Sequence, residues 1–175
     1  MNLSFVALAA LLSFSPGKVQ AASGPLQLSL PGRDWTLQID GTGFDLQEHK
    51  AKNDGTATKL LATKEKLGLT LYMYIEVQTG MKNAKDCRDY YWKRAQEGPG
   101  KKEAVRRSES GKMAQVEYMI TDFQGLPLQQ KNVNTYLFKD GTCADIHLSK
   151  IQYNPRDKKS FDTILRSIKF IKATK

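Results

Sequence analysis

The nonapeptide Leu69-Thr70-Leu71-Tyr72-Met73-Tyr74-Ile75-Glu76-Val77 alternates between a purely apolar set and an amphipathic one. A period of two is the period of a β-strand. Leu69, Leu71, Met73, Ile75 and Val77 therefore point into a core, while Thr70, Tyr72, Tyr74 and Glu76 point to a second surface that something else covers in part. Outward from this segment the pattern recurs in Trp35, Leu37 and Ile39, more weakly in Phe44 and Leu46, then in Ala114, Val116, Tyr118 and Ile120. It returns in Val133, Thr135 and Leu137 and in Ala144, Ile146 and Leu148. Between the runs stand Asp40 to Gly43, Asn53-Asp54-Gly55, Ser110-Gly111 and Lys139-Asp140-Gly141. Glycine after Asp or Asn supplies the positive φ of tight hairpins, and consecutive hairpins make an antiparallel sheet.

Two segments change period. The first opens at Asn83 as N-cap with Asp86 as capping-box partner, and stops at Gly98-Pro99-Gly100. Within it Ala84, Cys87, Tyr91 and Ala95 share one face, with Tyr90 and Trp92 flanking that stripe. The second opens at Asn154-Pro155 and places Phe161, Ile164, Leu165 and Ile168 at i, i+3, i+4 and i+7. About four strands, a helix, about four strands and a helix, with no linker or repeat, give one α+β domain over residues 23–175. The expected architecture is an antiparallel sheet of about seven or eight strands packed by two amphipathic helices.

Cys143 alternates away from Ala144, Ile146 and Leu148, so it shares a sheet face with Asp145 and His147. If the first helix covers that face, Cys87 meets Cys143, and a disulfide is expected. Two buried thiols are the alternative.

This element order, with the closing segment Ser160-Phe161 through Ile168-Lys169-Phe170, resembles the PsbP-like fold family, which includes small bacterial exported proteins of the DcrB type. The resemblance spans most of residues 31 to 171. It implies an antiparallel sheet sandwiched by helices and a role in binding or assembly, and it carries over no site residue.

At the amino end, Leu3 to Phe14 is an apolar run followed by Pro16, Gly17 and the small residues Ala21 and Ala22. A dozen helical residues rise only ~18 Å, short of a ~30 Å hydrocarbon core, so residues 1–22 read as a signal peptide cut at Ala21 or Ala22. No cysteine near that cut could take a lipid anchor, and no other segment approaches spanning length. The reading is an exported, periplasmic or secreted protein.

Catalytic signatures are missing: there is no GxSxG, HExxH, Walker A or GxGxxG, and the chain holds only two histidines, His49 and His147. Asp145 and His147 share a strand face and are the one pair that could serve a hydrolase, but residues i and i+2 on a strand stand nearly 7 Å apart. Without CxxC and with two histidines, no metal or other cofactor is expected.

Between Lys82 and Lys112, basic residues outnumber acidic ones, and Lys101, Lys102, Arg106 and Arg107 crowd what reads as a loop after the first helix. Such a loop can attract an anionic lipid, polymer or acidic partner, and Tyr90 and Trp92 are candidate interface anchors. No basic helix or nucleic-acid motif is present, so nucleic acid is not an expected partner. The sequence thus points to a non-catalytic binding or accessory protein, with enzymatic use of Asp145 and His147 as the alternative.

Overall fold

The computed structural model describes residues 24–173. The signal-peptide reading of residues 1–22 lies outside that range. The chain runs β1 (Leu26–Leu28), β2 (Trp35–Ile39), β3 (Asp45–Ala51), β4 (Ala57–Lys64), a 3-10 turn (Glu65–Leu67) and β5 (Leu69–Val77). It continues through α1 (Ala84–Gln96), β6 (Lys102–Ser110), β7 (Met113–Phe123), β8 (Leu126–Lys139) and β9 (Thr142–Ile151). A second 3-10 turn (Pro155–Asp157), α2 (Lys158–Arg166) and β10 (Lys169–Lys172) complete it.

Seven strands form one sheet in the order β3-β4-β5-β9-β8-β7-β6, and three form another, β1-β2-β10. Every pairing is antiparallel. The alternation of Trp35, Leu37 and Ile39 therefore marks a strand of the smaller sheet, whose apolar side faces the larger one. These residues share a core with Leu60, Leu71, Met73, Ile75, Ile146 and Leu148, and α2 adds Phe161.

On the opposite side of the large sheet α1 encloses a second, aromatic core of Cys87, Tyr91, Trp92, Val116, Tyr118, Tyr136 and Cys143. The layers are thus α1, the seven-stranded sheet, and the small sheet with α2. Cys87 and Cys143 are joined by a disulfide, their Cα atoms 5.7 Å apart and both side chains fully buried.

The Asn83 side chain accepts a hydrogen bond from the Asp86 N–H at 3.0 Å, while the Asp86 carboxylate reaches back to the Lys82 N–H at 2.9 Å. That return bond lands one residue before the position a capping box would use. Asn83→Ala removes the acceptor at the helix start, and urea denaturation is expected to register a loss of about 1 kcal/mol. The buried stripe of α1 is Cys87, Arg88, Tyr91 and Trp92. It is turned toward Trp92 relative to the sequence expectation because Trp92 packs on Tyr118, ring centroids 5.2 Å apart. Arg88 is buried with it, donating to Asp89 and to Glu109 of β6, each at 2.9 Å, and so straps the helix to the end of the sheet.

The outermost strands are irregular. The β3–β4 register shifts between Leu46 and Glu48, and the β6–β7 register shifts between Glu103 and Arg106, where Ala104 has φ 49°. β7 and β8 join through Gln124-Gly125, with φ 54° and 81°. Two positive φ values suit the turn twist that matches paired strands. The β6–β7 ladder ends at Ile120 and the β8–β9 ladder at Gln130, and single backbone bonds from Lys101 to Asp122 and from Tyr153 to Gln129 flank the hairpin beyond them, leaving its turn uncovered.

Candidate functional site

The α1 side of the large sheet gathers the polar side chains. Across β5, β9 and β8 the register sets Tyr74, Asp145 and Tyr136 in one row and Tyr72, His147 and Asn134 in the next. Thr70, Ser149 and Asn132 form a third. α1 sits over the Cys143 end of these rows, stacking Tyr91 on Tyr136 with centroids 6.1 Å apart and setting Tyr91 edge-on to Tyr74 at 6.2 Å. Asp145 and His147 keep partial contact with solvent, whereas Asn132, Asn134 and Ser149 are buried.

Two asparagines organise the cluster. Asn134 donates from Nδ2 to Asp145 Oδ1 at 3.0 Å. Asn132 Oδ1 lies 3.0 Å from His147 Nε2 and also accepts from Gln130 Nε2 at 3.1 Å, while Asn132 Nδ2 donates to the Gln130 carbonyl. With Oδ1 as the acceptor, His147 carries its hydrogen on Nε2 and leaves Nδ1 as the lone-pair nitrogen. Burial pushes the Asp145 carboxyl up to about 6, opposed by the Asn134 hydrogen bond, and pushes His147 down to about 4. Burial also raises Tyr118 to about 12, with the Asp145 charge adding to it, and raises Tyr74, Tyr91 and Tyr136 further. Glu76 accepts from the Tyr91 hydroxyl at 3.1 Å.

Nucleophilic catalysis requires a nucleophile on the base and an orienting group behind it. Here Asp145 and His147 occupy the common face that the alternation assigns them, yet each turns to a different asparagine of β8. Among the described residues no hydroxyl or thiol hydrogen-bonds to His147, and both cysteines are held in the disulfide. The described residues also contain no group of three or more His, Cys, Asp or Glu placed to hold a metal. The arrangement fixes a polar floor in place.

No protein-family model matches the chain, and no curated protein does. Among solved structures, the chain is similar to the solution structure of cyanobacterial PsbP (CyanoP) from Synechocystis sp. PCC 6803. The two share 16% identity, the match covers 91% of this chain and 98% of the other, and the TM-score is 0.54. The fold is PsbP-like. At that identity the likeness is one of architecture.

On this PsbP-like frame the basic residues stand differently from the sequence expectation. Lys102, Arg106 and Arg107 belong to the edge strand β6, not to a loop, and Lys101 immediately precedes it. β6 shows no apolar alternation because it lies beyond the cover of α1 and of the small sheet, so Ala104 to Ser110 is exposed on both sides. Arg106 pairs in register with Glu117 and Arg107 with Val116, which sends the two side chains to opposite faces. Lys101 is ion-paired to Glu103 at 2.6 Å, and Lys102 donates to the Gly98 carbonyl at 2.9 Å. Tyr90 is half-buried beneath the Arg94 guanidinium, 4.3 Å from its ring, whereas Trp92 is buried and belongs to the core. Asn132 and Asn134 escape a sequence reading because polar strand residues look solvent-facing. Only the cross-strand register places them against Ser149 and His147.

Proposed function

We propose that this chain is an exported, non-catalytic binding or accessory protein of the bacterial envelope or extracellular space. The observation that carries the reading is the separation of Asp145 from His147 by Asn134 and Asn132, which occupies both groups without presenting a nucleophile to either. Two further features support it. A disulfide between fully buried cysteines suits an oxidising compartment. The exposed strand β6 offers Arg106 and Arg107 on opposite faces to an acidic or anionic partner.

The test pairs binding with turnover. Arg106→Glu with Arg107→Glu reverses two exposed charges outside both cores, so folding is retained while cross-linked capture of the native envelope partner is expected to fall at least about ten-fold. Turnover of a small substrate that disappears in His147→Ala would replace this reading with an enzymatic one.

A further inference from the structure

The β7–β8 hairpin carries an observation that the polar floor does not absorb. From Phe123 to Gln130 the chain reads Phe-Gln-Gly-Leu-Pro-Leu-Gln-Gln, eight residues without a charge in a chain that is 26% charged. Phe123 and Leu126 face each other across the turn, 37% and 69% exposed. Neighbouring backbone follows the hairpin as far as Asp122 and Gln129, whose carbonyls accept from the Lys101 and Tyr153 N–H groups at 3.3 and 3.1 Å, so the turn itself is what stands clear.

The same end of the sheet exposes Ile151, where β9 stops, and Leu67, on the 3-10 turn before β5. These apolar groups occupy separate turns. A partner protein's hot spot wants packed pockets around each anchor, whereas a fluid lipid interface accepts projecting side chains one at a time. The turns and strand starts at this end of the sheet carry Lys66, Lys101, Lys102 and Arg156. Glu65, Glu103, Asp122 and Asp157 lie among them, so the longer-range attraction to an anionic surface comes from the formal net charge of the chain from Ser23 onward, the whole chain's +9 less Lys18. The hairpin is ordered by its own turn, so inserting its tip costs little ordering entropy.

Building on the binding role proposed above, we infer that this hairpin docks the protein on an anionic lipid leaflet, with Phe123 and Leu126 entering the interface and the net positive charge of the chain drawing it to the lipid phosphates. Two signals of this kind together give a reversible surface attachment where either alone is marginal.

The experiment uses vesicle flotation with the chain begun at Ser23, which contains every element described. Vesicles of equal parts phosphatidylglycerol and phosphatidylcholine are compared with phosphatidylcholine alone. The expected result is partition to the anionic vesicles, weakened at least about ten-fold by Leu126→Asp or Phe123→Ser and kept by Leu126→Met. Both sites are exposed, so these variants leave the core intact. Phe123→Trp should add a blue-shifted emission component on vesicle addition, because Trp35 and Trp92 are already buried.

Absence of partition overturns the inference. So does partition that high salt abolishes and Leu126→Asp leaves unchanged, since that is adsorption through diffuse charge alone. Loss of a captured protein in Leu126→Asp without vesicle binding makes the hairpin a protein interface and also overturns it. In each case a binding role stands or falls separately, on the turnover measurement.

Discussion

Replacing Cys87 and Cys143 together with alanine is expected to cost about 4 kcal/mol, the loop-closure value for residues 56 apart. The bond ties the first turns of α1 to the centre of the large sheet, and without it the helix is held by aromatic contacts and the Arg88 strap. For a domain of this length the loss corresponds to a melting temperature lower by roughly 8–16 °C. Urea denaturation of the oxidised protein and of the double variant at neutral pH checks it. Equal midpoints would mean that the helix is equally well placed without its covalent tether.

The second large effect is one of pH, and its sign follows from opposite shifts. Asp145 has a native value near 6 against an ordinary 3.8, so between these limits the native state binds more protons than the unfolded chain and stability falls as pH rises. His147 has a native value near 4 against 6.5, so the unfolded chain binds more protons across that window and stability rises with pH. Between about pH 4 and pH 6 the two slopes oppose each other and largely cancel.

Removing either partner uncovers the other. Relative to the wild type, Asp145→Asn removes the falling contribution, so its stability is expected to climb between pH 3.8 and about 6, by up to about 3 kcal/mol. His147→Gln removes the rising contribution, so relative to the wild type its stability is expected to fall by a similar amount between about pH 4 and 6.5. The measurement is the difference in unfolding free energy between variant and wild type at each pH, which removes contributions from other groups. Parallel profiles for all three proteins would show that neither group titrates differently in the folded state.

Much of this architecture is legible in the residue pattern, for physical reasons that also mark where legibility stops. Alternation in Leu69 to Val77 reports a face that must be buried, and β5 is buried on that face. The caps at Asn83 and Asn154 reveal helix starts because an orphan N–H needs a side-chain acceptor, and both asparagines supply one. Cys87 meets Cys143 because helix position and strand parity agree. Parity cannot say which of two layers a strand joins, so Trp35 to Ile39 reads as part of a single sheet. β6 is invisible to pattern because neither of its faces is buried. The polar floor is hidden for a related reason: Asn132 and Asn134 are buried by their cross-strand partners, which depend on register and leave no local signal.

The two strands at the margins of the seven-stranded sheet both have interrupted ladders, at Leu46/Glu48 and at Glu103/Arg106. Both also present charged side chains, Glu48 and Lys50 on one and Arg106, Arg107 and Glu109 on the other. An extra residue in a strand bends it and raises its local twist, and a charge desolvated on such an edge would penalise an incoming chain. Both features disfavour extension of the ladder by a second molecule on either side.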